Sequence, residues 1–313
     1  MNSEVARVKE DLLFQAYLDA CELELQAVKP GNVSIYAPGH GMTVLDFRRS
    51  AEASAPILAN ARLLPGEKIL RSIEATRACV GCNTNLGIVL LAAPLMHAYQ
   101  TIGPGEDLRA ALRRVLGCTT QEDAIGVYRA IRIAAPAGLG RSDTADVADT
   151  PTITLLEAMA IAAERDRIAY QYATTYSDVF DFAIPRYHSG CLRWGDDAWA
   201  AAWVFIGILK RIPDSHLERK YGKRFTGMLA ARMADLEDAL YQSEEPEDVL
   251  DRFLRVDRDL KSNGINPGTT ADLTVACLLA ARLEELLRHC KQRASVLLQT
   301  KDINAPFPRS SLY

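Results

Sequence analysis

Gly264-Ile265-Asn266-Pro267-Gly268-Thr269-Thr270-Ala271-Asp272-Leu273 is a tight turn that runs into an Ala- and Leu-rich stretch. Pro fixes φ and Gly tolerates positive φ, so the turn is set locally. Thr269 is placed to cap the helix that follows, expected over 273 to about 289, with Asp272 as a shorter version of a capping-box acid. Gly81-Cys82-Asn83-Thr84-Asn85-Leu86-Gly87-Ile88 has the same design, with Asn83 or Thr84 as cap of a helix over 88–99. Each helix mouth offers free N–H groups and the positive end of a macrodipole, which suits an anion. Either one alone reads equally as an ordinary capped core helix. Two of one design, far apart in the chain, could converge on one polyanionic ligand.

Other clusters suit the same chemistry. Asp143, Asp146 and Asp149 recur every third residue. Clustered carboxylate oxygens suit Mg²⁺, which keeps waters and bridges to phosphates, though a solvated acidic loop explains them as well. Asp214-Ser215-His216-Leu217-Glu218-Arg219-Lys220-Tyr221-Gly222 sets a guanidinium fork beside an ammonium at a helix start that Ser215 can cap. A surface charge cluster is the bland alternative. His40 and His188, in Gly-containing loops, suit acid–base work. His97 reads as a satisfied core residue, and His216 and His289 as exposed. Cys79-Val80-Gly81-Cys82 is a lone CxxC, whereas structural zinc takes four ligands.

The elements that must position these groups are almost all helices. Leu12, Leu13, Ala16, Tyr17, Ala20, Leu23 and Ala27 form one stripe, ended by Lys29-Pro30-Gly31-Asn32. Further helices are expected over 47–63, 69–78 after a break at Pro65-Gly66, 108–116, and 121–134 with Thr120 and Asp123 as its capping pair. Continuous helix is expected over 154–176, a loop over 185–195, then helices over 198–210, 215–241 and 246–261. Residues 136–151 read as irregular. No strand pattern survives, so the fold class is all-α: a compact multi-helix domain over residues 1–300, with polar loops converging on one cleft and a loosely held tail at 301–313.

Composition narrows the partners. The chain has 313 residues, 49% hydrophobic and 24% charged, with net charge −4. That charge balance argues against nucleic acid and anionic membrane as partners. The apolar runs are too short to span a bilayer, and the polar start lacks a signal-peptide pattern. Seven scattered cysteines read as reduced, buried thiols of a cytoplasmic protein. A homodimer is kept as an open expectation.

With these residues in hand, Asp214-Ser215-x-x-x-Arg219-Lys220-x-Gly222 followed by Pro267-Gly268-x-Thr270-Ala271-Asp272-Leu273 resembles the paired C-terminal motifs of the triphosphoribosyl-dephospho-CoA synthase family. Lys29-Pro30-Gly31 is similar to its PKPGLVD stretch, and His40, Met42, Phe47 and Ser50-Ala51 resemble its histidine loop. Asn83-Thr84-x-x-Gly87 falls on NTHKG, and Arg141 and Asp143 fall near RGEAE. The resemblance implies an all-helical transferase that joins ATP to a ribose hydroxyl of dephospho-CoA, with adenine leaving and the triphosphate retained. It implies Mg²⁺, with ATP as substrate and a small-molecule acceptor. By that resemblance Asn83, Thr84, Asn85, Arg219 and Lys220 are candidates for the nucleotide phosphates, with Lys29, Arg141, Thr269 and Thr270. Asp143, Asp146 and Asp272 are candidates for the metal, and His40, Asp46 and Glu24 for catalysis. Asn85-Leu86 stand where the family has His-Lys. That departure leaves other readings open: a protein of one-carbon pterin (tetrahydromethanopterin-type) cofactor biosynthesis, a Mg²⁺-dependent phosphohydrolase, or a non-catalytic nucleotide-binding subunit.

Overall fold

The computed structural model describes residues 3–136 and 145–303. Its first half holds α1 (Ser3–Gln26), α2 (Val44–Ala59), α3 (Pro65–Val80), α4 (Leu86–Thr101), α5 (Leu108–Gly117) and α6 (Gln121–Ala134). The second holds α7 (Leu155–Ala162), α8 (Arg167–Thr174), α9 (Ile184–Trp194), α10 (Asp197–Arg211), α11 (Ser215–Tyr221), α12 (Thr226–Gln242), α13 (Leu250–Ser262) and α14 (Gly268–Ile303). The fold is all-α. Among the described residues only two isolated bridges, Ser34–Ala37 and Gly39–Met42, have extended pairing.

Helices that are apolar all round belong in the interior. α4 buries nearly every side chain from Leu86 to Gln100, and α10 does so from Trp199 to Leu209. α14 packs on α1, α4, α9 and α10 and ties the centre together. α2 on α3 and α3 on α6 build one wall; α9 and α12 on α10 build another.

The middle of α4 needs outside help. Pro94 has no N–H for the Leu90 carbonyl four residues back. The buried Tyr172 hydroxyl donates to that carbonyl at 2.6 Å, and the Tyr176 hydroxyl donates to the Leu91 carbonyl at 3.0 Å. α8 and the turn after it thus repair the ladder of the central helix and fix α4.

Several expected boundaries move. The 154–176 helix is two, α7 and α8, because the Asp166 carboxylate caps a new helix by accepting from the Ile168 and Ala169 N–H groups at 2.9 and 3.0 Å. The 185–195 loop is α9, led in by a π-helical turn at Asp178–Ala183. Pro185 is its second residue, and the preceding helical turn runs directly into it. Pro65 likewise starts α3 rather than breaking a helix. The 215–241 helix is interrupted by the 3-10 turn Gly222–Phe225, with Gly222 at φ 61°. α14 begins at Gly268 and runs to Ile303, longer at both ends than expected. The Thr120–Asp123 capping box is formed. Of the cysteines, Cys21 and Cys277 are buried while Cys79, Cys118 and Cys290 are exposed. His97 is not satisfied: its Nδ1 has no partner among the described residues, and burial pushes its pKa down to about 4.

Candidate active site

A cavity of about 300 Å³ opens where the starts of α4, α8, α11 and α14 meet the end of α1. Among the described residues its acidic groups are Glu24, Asp146, Asp166 and Asp272, and its cations are Arg165 and Arg219. Asn32, Asn83, Asn266 and His216 add neutral polar groups. Its apolar lining includes Leu86, Leu90, Ile131, Met159 and Ile168.

The two helix mouths do come together. A Cβ on Gly87, in the first turn of α4, would collide with the Asp272 carboxylate on α14. Only glycine lets the acid lie against that backbone. Among the described residues the Asp272 carboxylate has no hydrogen-bond partner. Burial raises its pKa well above the usual carboxylate range, and the negative charges of Asp214, Glu24 and Asp166 push the same way.

Asp214 holds the frame. Its Oδ1 accepts the Leu217 N–H at 3.1 Å and caps α11. Its Oδ2 accepts the Thr270 N–H and hydroxyl, both at 2.8 Å, in the first turn of α14. Asp214 therefore performs the capping expected of Thr269, of Ser215 and of Asp272. The Thr269 hydroxyl instead accepts the His216 N–H at 3.1 Å and lies 3.1 Å from Ser215 Oγ. At α4, Asn85 is the cap residue, and the Asn83 Oδ1 accepts the Leu86 N–H at 3.2 Å.

Arg219 reaches the cavity paired to Asp166, and among the described residues its buried Nε has no partner. Asp166 is held twice over, by Arg219 on Oδ2 and by the α8 N–H groups on Oδ1. Glu24 is buried and paired with the buried Lys29. Burial pushes the Glu24 carboxyl up against the pull of that ammonium, and pushes Lys29 down against the pull of Glu24. The loop after α1 is pinned to the C-terminal elements: Gly31 N–H to Asp257 Oδ1 at 2.9 Å, Asn32 Nδ2 to Asn266 Oδ1 at 2.9 Å, Lys261 Nζ to the Ala37 carbonyl at 3.1 Å.

Of the sequence candidates, Glu24, Asn83, Thr84, Asp146, Arg219, Thr269 and Asp272 line this cavity. Lys29 lies behind Glu24, and Thr270 behind Asp214. Asn85 is buried beneath the α4 start, its Nδ2 aimed at the Ser50 carbonyl and Ser54 hydroxyl and its Oδ1 without a partner among the described residues. His40, at φ 56°, is exposed and sits 2.9 Å from the Gly31 carbonyl, off the cavity. Asp46 serves the α2 capping box, accepting from the Thr43 N–H and hydroxyl at 2.7 and 2.8 Å. Lys220 is exposed, with its ammonium 4.9 Å from the Tyr221 ring centre. Arg141 and Asp143 lie outside the described residues. His188 is exposed on α9, away from this cavity.

Sequence reading missed Arg165, Asp166 and His216. An Asp just ahead of an apolar run is a cap signal, but reading 154–176 as one helix hid it. His216 was read as exposed because its neighbours are charged; in the fold it is half-buried against α14.

A family model described as ATP:dephospho-CoA triphosphoribosyl transferase (CitG) matches residues 10–291. Among solved structures, that of an assigned triphosphoribosyl-dephospho-CoA synthase from Archaeoglobus fulgidus superposes with a TM-score of 0.57 at 23% identity, over 75% of this chain and 97% of that one. At that identity the likeness speaks to the fold. No curated protein matches the chain in sequence.

Proposed function

This chain belongs to the ATP:dephospho-CoA triphosphoribosyl transferase family, and from that premise we propose that its cavity holds the ATP-derived donor and an acceptor hydroxyl side by side. The protein is a transferase of prosthetic-group biosynthesis. The observation that carries the reading of the site is the contact between Gly87 and Asp272, which joins two turn-to-helix motifs into one polar cavity.

In this reading Arg219, steadied by Asp166, meets the triphosphate from the cavity wall, with Arg165, Asn83, Thr84 and Thr269 around it. Glu24 faces the positive charge that develops at C1′ as the bond to adenine breaks. We place Mg²⁺ at Asp272, where the described residues bring together no group of three or more His, Cys, Asp or Glu side chains and the ion would rely on few protein ligands. Asp272 has no hydrogen-bond partner there, and three nearby carboxylates oppose its ionisation, a situation that a cation relieves. Asp272 and Asp146 would hold the ion, and its chemistry is charge neutralisation on the phosphates. His40, Asp46, Lys29 and Lys220 take no step. We place the reaction in the cytoplasm: ATP is the donor, and among the described residues no helix is long and apolar enough to cross a membrane.

The test is incubation with ATP, Mg²⁺ and dephospho-CoA, followed by chromatography. Free adenine with a triphosphoribosylated acceptor supports the proposal. Phosphate without adenine would make the protein a phosphohydrolase, and binding without turnover a nucleotide-binding subunit. Arg219→Ala should weaken ATP binding by about tenfold to a hundredfold, the cost of losing one charge-assisted contact of about 1.5–3 kcal/mol.

A further inference from the structure

Resting on that transfer reading, we infer that His216 is the base that takes the proton from the acceptor hydroxyl. Its backbone is anchored and its ring is not. The His216 N–H is committed to Thr269 Oγ1, and the next residue is fixed by Asp214. The imidazole packs beside Gly268, at van der Waals distance from where a Cβ would stand, and faces the cavity. Neither ring nitrogen has a hydrogen-bond partner among the described residues. A half-buried imidazole left open in this way offers both nitrogens to a ligand.

The other candidate bases are occupied or unsuited. Glu24 is paired with Lys29, Asp166 with Arg219 and two N–H groups, and Asp146 accepts from the Ala148 N–H at 2.8 Å. Asp272 stands among other carboxylates. Burial first, then Arg219, Lys220 and His40, pushes the His216 pKa down to about 4, so the ring is neutral at pH 7 and free to accept a proton. These cations lie on α11 and the loop after α1; α14 contributes Gly268, Thr269 and, on the same cavity, Asp272. A triphosphate on Arg219 offsets one of the cations that depress the ring. Binding of the donor thus raises His216 toward the working pH, where a general base is most effective.

The step balances. The hydroxyl proton moves to a ring nitrogen of His216. The oxygen's electron pair forms the bond to C1′ of the donor ribose. The C1′–N9 pair leaves with adenine, and the imidazolium returns the proton to the departing purine.

The full chain tests this with ATP, Mg²⁺ and dephospho-CoA. His216→Gln keeps a planar polar group that does not titrate. Its kcat for adenine release is expected to fall about a hundredfold to ten-thousandfold, with the acid limb of the kcat–pH profile lost. ATP affinity by calorimetry and the melting temperature should stay near wild type, showing that the variant is folded. Unimpaired turnover in His216→Gln would overturn the assignment while leaving the transfer reading intact. ATP binding without adenine release in the wild type would remove both. A His216 ring resonance that does not shift when ATP is added would overturn the assignment without reference to turnover.

Discussion

At Gly87 a missing side chain decides the sign of a substitution. Gly→Ala inside a helix ordinarily stabilises by about 1 kcal/mol. Here the new methyl would press on the Asp272 carboxylate, and overpacking of that kind costs about 1–3 kcal/mol. Gly87→Ala is therefore expected to lower stability in a urea titration and to weaken ATP binding; a more stable variant would mean that the two motifs do not touch. Asp272 makes a second prediction, through pH. Its folded pKa is raised, so the folded protein holds a proton that the unfolded chain releases. The stability this gives is complete below the unfolded carboxylate value of about 3.9 and is lost as pH rises through the folded value. Asp272→Asn should flatten that part of the stability–pH curve. In metal-free buffer it should be at least as stable as the wild type at pH 8, and it should lose Mg²⁺-dependent ATP binding. A less stable variant at pH 8 would show that the charge is compensated by a partner in the fold.

At the scale of elements, Asp214 is one carboxylate serving two helices, α11 through Leu217 and α14 through Thr270. A lost cap costs about 0.5–2 kcal/mol, so Asp214→Ala should cost about 1–4 kcal/mol. A double-mutant cycle with Thr270→Val should show coupling, whereas strict additivity would mean that the two helix starts are held separately. This shared cap also marks the limit of what the sequence discloses. The turn at Pro267-Gly268 and the helix after it are readable because φ preferences and apolar spacing act locally, as they do for Thr120 and Asp123 at α6. That the cap comes from a residue more than fifty positions earlier is tertiary and leaves no local pattern. The same holds for Lys29, whose charge gives no hint that it is buried against Glu24; the cap at Asp166 and the Pro at the start of α9 are local signals, hidden by the apolar spacing that runs across 154–176 and by the tendency of Pro to mark a break. The cavity was legible as a list of polar helix starts; which side chains face it and which prop it from behind was not.

For the whole molecule the position of the cavity matters most, because its walls come from both halves of the chain: Glu24, Asn83 and Gly87 from the first, Arg219 and Asp272 from the second. A ligand there touches elements that pack on the central α4 and α14, so its binding energy is shared by the global fold. The chain carries net charge −4, and among the described residues the acids Glu24, Asp146, Asp166 and Asp272 line the cavity beside Arg165 and Arg219. ATP alone meets that field with unfavourable charge; ATP with Mg²⁺ meets it with part of that charge neutralised. Linkage then fixes the expected outcome. At a hundredfold excess over Kd the folded state gains about 2.7 kcal/mol, enough to raise the melting temperature by several degrees. With Mg²⁺ and ATP, one transition should move as a unit, as expected if residues 1–300 unfold together. EDTA should return it to the unliganded value. Two transitions with only one responding would divide the chain into separate domains, and an equal shift with ATP in EDTA would remove the metal from the site.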